Sequence, residues 1–195
     1  MKLMVLNFIM IMLRKLQKND KTKLRVWRNS SEISKYMYSE HKISSKEHDL
    51  WFDNVIRKQS DYYWMIVCDN EDVGLVNLYD IDLKNSRCFW AFYLASHNIR
   101  GKGVGSFVEY TILNHVFYTL GLNKLCCEVL DFNASVVEMH KKFGFVQEGF
   151  FKKHITKSNK RYDVFRLAIL KEDWRNIQST ISDKLTKKGI LNENQ

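Results

Sequence analysis

The sequence predicts an α/β fold, in which strands and helices share one core. Three observations carry that prediction. Apolar runs of strand length, rich in β-branched, aromatic and cysteine residues, are separated by amphipathic runs of helix length. A glycine-rich segment, Ile99-Arg100-Gly101-Lys102-Gly103-Val104-Gly105-Ser106, stands between an apolar run and a helical one. Gly144 sits where a helix would stop, just before another apolar run begins at Phe145.

In chain order, residues 8–16 read as a first buried strand. Residues 20–30 read as a helix containing Trp27-Arg28-Asn29, and residues 45–59 as a second one capped by Ser45. Leu50, Trp51, Val55 and Ile56 give that second helix its apolar face. Residues 62–68 and 73–79 read as strands joined by a turn, followed by a strand over 88–94. After the glycine loop come a helix over 107–120 and a strand over Lys124–Leu130. Val136, Met139, His140 and Phe143 recur at helical spacing, so a short helix follows Asn133. Strands over 145–152 and 162–170 and a charged helix over 171–185 complete the chain.

Composition narrows the class. With 195 residues and 45% hydrophobic content, the chain suits one domain with a core. We read residues 1–7 as an overhang, 8–170 as one domain and 171–195 as a helix and tail. There is no proline, hence no proline-marked linker. The apolar start is too short to span a bilayer, and Arg14 and Lys15 follow it rather than a small-residue cleavage site. Cys68, Cys88, Cys126 and Cys127 form no C-x-x-C pattern, so we expect reduced thiols, no metal and a cytoplasmic location. The net charge of +9 fits an anionic ligand, a nucleic acid or a solvated basic face. No nucleic-acid-binding motif appears, so neither nucleic acid nor membrane is an expected partner.

The glycine loop is the most informative segment. Backbone N–H groups converge in such a loop, and the helix that follows adds positive potential, so a phosphate is the natural guest. The spacing G-x-x-x-x-G-K-[ST] is absent, and Gly101, Gly103 and Gly105 read G-x-G-x-G rather than G-x-G-x-x-G. Arg100, Gly103 and Gly105 do fit R-x-x-G-x-G. A glycine-rich hairpin or linker is the plain alternative. The loop resembles the pyrophosphate loop of the GCN5-related N-acetyltransferases, which use acetyl-coenzyme A.

A second motif supports the resemblance. Asn133, the short helix and Lys142-Phe143-Gly144-Phe145 follow a strand in the order that this family shows. The resemblance implies the GNAT fold, a mixed central sheet splayed between two parallel strands and flanked by helices. It implies acetyl-CoA as co-substrate and no metal. It places Tyr93, Leu94, Arg100, Gly101, Lys102, Gly103, Val104, Gly105 and Ser106 along the donor, with Asn133, Ser135 and Met139 beside its pantetheine arm. Asn133 is equally a helix N-cap residue by type. The family's leaving-group acid is usually a tyrosine; His140 stands at that position, and histidine donates a proton near neutral pH. Packing on the short helix is the plain reading of His140. No general base is assigned; Glu71, Asp80, Asp82 and Glu128 are candidates near strand ends.

The N-terminal third carries Trp27-Arg28-Asn29, Met37-Tyr38-Ser39, Ile43-Ser44, Glu47-His48 and Phe52. This pattern is similar to the N-acetyltransferases of the pseudaminic acid pathway, which acetylate the 4-amine of a UDP-linked amino-dideoxy sugar. That resemblance implies Arg28, His48 and Tyr93 near a nucleotide, and a monomer or homodimer acting on a small molecule. An arginine forks onto phosphate, which agrees. Without the resemblance, Trp27 and Trp51 read as core, Arg28 as a surface pair and His48 as a first-turn residue. Two other classes stay open: an acetyltransferase of protein N-termini, and a non-enzymatic module binding acyl-CoA or nucleic acid.

Overall fold

The computed structural model describes residues 9–57, 62–99 and 101–192. The overhang, the first residue of the expected first strand, the end of the expected helix 45–59 and Arg100 therefore lie outside the described residues. The chain opens with β1 (Ile11–Lys15), α1 (Asp20–Asn29), a one-turn α2 (Ser31–Ser34) and α3 (Ser45–Arg57). An antiparallel meander follows: β2 (Tyr63–Cys68), β3 (Glu71–Asp82) and β4 (Arg87–Leu94). Then come α4 (Val104–Asn114), β5 (Lys124–Leu130), α5 (Ala134–Lys142), β6 (Val146–Lys157), β7 (Lys160–Leu170) and α6 (Lys171–Lys187).

Among the described residues the strands form one sheet in the order β1-β2-β3-β4-β5-β7-β6. All neighbours are antiparallel except β4 and β5. That parallel pair is registered only at Arg87–Lys124, Cys88–Leu125 and Phe89–Cys126. Beyond Phe89 the two strands separate, although β4 stays paired to β3 as far as Leu94. This is the splayed, mixed sheet that the sequence led us to expect.

Both faces of the sheet are covered. Ile66, Cys68 and Val76 pack with Val108, Leu113, Phe117 and Trp174 in the main core. On the other face Met65, Val67 and Leu75 meet Leu24 of α1 and Phe52 of α3. Burial on both faces explains why β2 and β3 read as continuous apolar runs rather than alternating ones.

Several boundaries differ from the expected ones, each for a local reason. The helix expected over 107–120 starts at Val104, because Gly103 takes φ +78° and its carbonyl accepts the Phe107 N–H at 2.9 Å. Its last turn, His115–Thr119, widens to a π-helix. The final hairpin runs well past the expected 145–152 and 162–170, with ladder pairs out to Lys157–Lys160. Its tip is polar and mostly exposed, so it carries little hydrophobic signal.

Candidate active site

The separation of β4 from β5 opens a cleft of about 830 Å³. One wall is the diverging β4, from Trp90 to Leu94, and the other is β5, from Cys127 to Leu130. The glycine loop closes one end of the cleft and the loop after α2, with Tyr36, Met37 and Tyr38, reaches its other side. Of the residues expected along the donor, Tyr93, Leu94, Gly101, Gly103, Val104, Gly105 and Ser106 all line this cleft. Asn133, Ser135, Met139 and His140 line it too. Lys102 does not line it, which separates that residue from the rest of the expected set. The turn sets it apart: its N–H bonds back to the Ile99 carbonyl at 3.2 Å.

The glycine loop has the features of an anion cradle. Gly101 and Gly103 both adopt positive φ, near +79° and +78°. Gly103 also has Ile190 packed directly against it, so a side chain there would meet both strain and steric conflict. With Phe107 making the first intrahelical bond, the N–H groups of Val104, Gly105 and Ser106 have no partner within the helix. A Cβ at Gly105 would lie 3.3 Å from the Met139 sulfur, so the missing side chain lets α5 approach α4 closely.

At the start of α5, Asn133 occupies the N-cap position, but its side chain makes no capping bond. The backbone carbonyl does that work instead, accepting from Val136 and Val137. The amide of Asn133 therefore faces the cleft uncommitted to the cap. At the other end, Gly144 has φ +91° and Phe145 N–H bonds to the His140 carbonyl at 3.1 Å. That 6→1 bond fixes the last turn and with it the backbone of His140.

His140 is only 3% exposed, and its Nδ1 lies 2.7 Å from Oε1 of Glu109, which is fully buried in α4. Burial pushes the Glu109 carboxyl above its ordinary value, and His140 opposes that shift. The imidazole sits edge-on to Trp90 at 5.3 Å, and the buried Trp90 indole N–H has no partner. Neither Glu109 nor Trp90 was singled out from the sequence. The available signal for Glu109 was one acid inside an otherwise apolar helical run, Phe107-Val108-Glu109-Tyr110. For Trp90 there was none, because tryptophan in a buried strand reads as core.

A second cavity of about 320 Å³ adjoins the cleft, lying between α1, α3 and the meander. It shares Met37, Ala91, Phe92 and Tyr93 with the cleft. Arg28, His48 and Tyr93, expected on the acceptor side, line it together. The Arg28 guanidinium is half-buried and donates to Ser39 Oγ at 2.8 Å. Burial lowers its pKa, and among the described residues no carboxylate lies within ion-pair distance of it. His48 is 4% exposed and its Nδ1 is buried without a partner. Burial also lowers the His48 pKa, so at neutral pH it offers a neutral hydrogen bond rather than a second positive charge. Burial raises the Tyr93 phenol above its usual value, so it stays protonated.

Of the four candidate bases, Glu128 alone lines a cavity, and it is already held by Arg166 at 2.7 Å and the Tyr38 hydroxyl at 2.9 Å. The four cysteines are free and buried, and burial pushes the Cys88 thiol up to about 12. Among the described residues no group of three or more His, Cys, Asp and Glu side chains is arranged to hold a metal. Nor is any helix among them long and apolar enough to cross a membrane.

Known proteins share this arrangement. A sequence profile for the acetyltransferase (GNAT) domain matches residues 11–146. The chain is 28% identical over 125 residues to the SPbeta prophage-derived uncharacterized N-acetyltransferase YokL of Bacillus subtilis, covering 64% of this chain and 70% of that one. It is 27% identical over 139 residues to spermidine N(1)-acetyltransferase of Escherichia coli K12, covering 71% and 74%. Among solved structures, the spermidine N-acetyltransferase of Vibrio cholerae in complex with CoA and spermine superposes with a TM-score of 0.76 at 23% identity, over 85% of this chain and 98% of that one. The splayed sheet, the glycine loop at its opening and the profile match over most of the chain agree: the protein is an N-acetyltransferase of the GNAT family.

Proposed function

We propose that this enzyme moves the acetyl group of acetyl-CoA directly to the primary amine of a small anionic acceptor. The acceptor we infer is a UDP-linked amino-dideoxy sugar acetylated on its 4-amine. On the donor side, the first-turn N–H groups of Val104, Gly105 and Ser106 suit a pyrophosphate, and the Asn133 amide, uncommitted to the cap, suits the pantetheine arm. The open edge of β4 beyond Phe89 offers backbone N–H groups to a thioester carbonyl as charge develops there. His140 donates a proton to the departing sulfur.

The observation that carries the acceptor is Arg28. A half-buried guanidinium with no carboxylate partner stands in a cavity continuous with the donor cleft. A phosphate there would pair with it through charge-assisted hydrogen bonds. A polyamine would bring further positive charge beside it, with the Glu47 carboxylate as the acid lining the same cavity. Of the acids that line the cavities, Glu128 is already paired with Arg166 and Glu47 hydrogen-bonds His41. The neutral His48 and the Trp51 ring add a hydrogen bond and a flat surface for a base or sugar.

The test is acetyl-CoA turnover measured side by side with UDP-4-amino sugars, spermidine and basic peptides. Turnover of the nucleotide sugar is expected, with its KM raised about tenfold or more by Arg28→Ala. Turnover of spermidine or of peptides alone would remove this acceptor.

A further inference from the structure

Asp20 and Glu109 are the buried acids among the described residues, and Asp20 is held by Arg14. Glu109 is the one acid in α4, it is 0% exposed, and His140 Nδ1 lies 2.7 Å from its Oε1. Its second oxygen, Oε2, is buried without a partner. Burying a carboxyl group in this way costs stability unless it serves another group. The surroundings are otherwise uncharged. From β4 comes the Trp90 ring and from the segment after α5 the Phe145 ring, 5.3 and 5.2 Å from the imidazole. From β5 comes the Cys127 thiol, which burial and the Glu109 charge keep protonated.

In such a site a net charge on the pair is disfavoured, so the neutral pair dominates. A neutral pair holds two protons. One is shared between Oε1 and Nδ1 across the short contact, either as carboxylate with imidazolium or as carboxylic acid with imidazole. The other then resides on Nε2 in both forms. Since Nδ1 is taken by Glu109 and the ring lines the cleft, Nε2 is the nitrogen left for substrate.

We propose that Glu109 is a positioning residue for acetyl transfer: it grips the Nδ1 side of His140 and so keeps a proton on Nε2, facing the departing thiolate. This rests on the reading of His140 as the leaving-group acid. The step balances. The amine nitrogen forms a C–N bond to the acetyl carbon while the C–S bond breaks. The Nε2 proton passes to sulfur, giving the thiol, and the proton lost by the amine returns to Nε2. Between those transfers the pair carries a buried negative charge, which favours prompt recapture of the proton.

The test compares wild type, Glu109→Gln and His140→Ala. The ring nitrogens of His140 are followed by NMR from pH 5 to 10, its signal assigned by its loss in His140→Ala. Thiol release from acetyl-CoA alone and with a UDP-4-amino sugar is measured over the same range. In wild type Nε2 should stay protonated through neutral pH. In Glu109→Gln its deprotonation should move down by about one pH unit or more, with the basic limb of kcat moving alike. kcat should fall about tenfold or more while the KM for acetyl-CoA stays within about twofold. Glu109→Asp should recover part of kcat. Full activity in His140→Ala would sink the acid role and this proposal with it. An inactive His140→Ala beside a Glu109→Gln with wild-type kcat and pH profile would overturn the positioning role alone. Should Glu109→Gln fail to fold, the wild-type titration decides: Nε2 unprotonated at neutral pH overturns the proposal.

Discussion

At the scale of single residues, the proposed mechanism rests on His140 in the cleft and Arg28 in the adjoining cavity. On the proposed acid role, His140→Ala is expected to lower kcat by about 100-fold or more, with CoA affinity measured by calorimetry unchanged. Unchanged turnover across the pH range would take the residue out of the mechanism. Arg28 and His48 line the adjoining cavity, and burial keeps His48 neutral there. The resemblance stated for the N-terminal third placed the two together without fixing the charge of the imidazole. Burial of the His48 ring decides it, and burial depends on Trp51 and Phe52 packing about it. Glu109 was missed because a carboxylate in an apolar helix has no spacing rule that points to a partner 31 residues away.

At the scale of elements, the loop before α4 and the hairpin of β6 and β7 hold the site from two sides. Gly103→Ala places a methyl group against Ile190 in a left-handed backbone conformation. It is expected to raise the KM for acetyl-CoA several-fold and to lower the thermal midpoint. An unaltered KM would show that the loop does not contact the donor. On the other side, the Lys157 ammonium at the end of β6 donates to the carbonyls of Ser34, Lys35 and Met37 at 3.0, 2.7 and 2.6 Å. Glu40 accepts from the N–H and hydroxyl of Ser158, both near 2.6 to 2.7 Å. The hairpin tip thus fastens the segment that carries Tyr36, Met37 and Tyr38 into the cleft. Lys157→Met leaves three carbonyls without a donor and is expected to cost about 1–3 kcal/mol by urea unfolding. It should also raise the acceptor KM more than that for acetyl-CoA. Sequence reading ended this strand at 152, since contacts spanning some 120 residues leave no local trace.

At the scale of the whole molecule, polar ties and apolar packing join the ends of the chain to the sheet. Arg14 of β1 binds Asp20 and Asp72 at 2.7 and 2.8 Å, and Lys23 also reaches Asp72 at 2.6 Å. Burial pulls the Asp72 carboxyl up, but the bonds from Lys23 and Arg14 outweigh it and leave its pKa below the ordinary value. A carboxyl depressed in the folded state contributes stability above its unfolded pKa, near 3.9, and loses it as pH falls through the folded value. Urea midpoints should therefore drop between pH 5 and pH 2.5, and drop less in Asp72→Asn. Equal acid sensitivity in both proteins would exclude Asp72 as a cause. At the other end α6 is no appendage: Trp174 is 0% exposed, bonds Asn114 at 2.9 Å and shares the main core with Leu185 and Leu191. Trp174→Ala is expected to destabilise the protein by about 3–5 kcal/mol, read from the same unfolding curves.

The sequence by itself determined the order of the strands and helices, the glycine loop and the short helix from Asn133 to Gly144, because each rests on local periodicity, turn chemistry and spacing. Those features sufficed to identify the family. Only the tertiary structure decided where β4 leaves β5, and that Asn133 spares its side chain from the helix cap. Only it paired Glu109 with His140 and made His48 neutral beside Arg28. Each of these depends on burial and on partners distant in sequence, and desolvation and long-range packing act only once the chain has closed on itself.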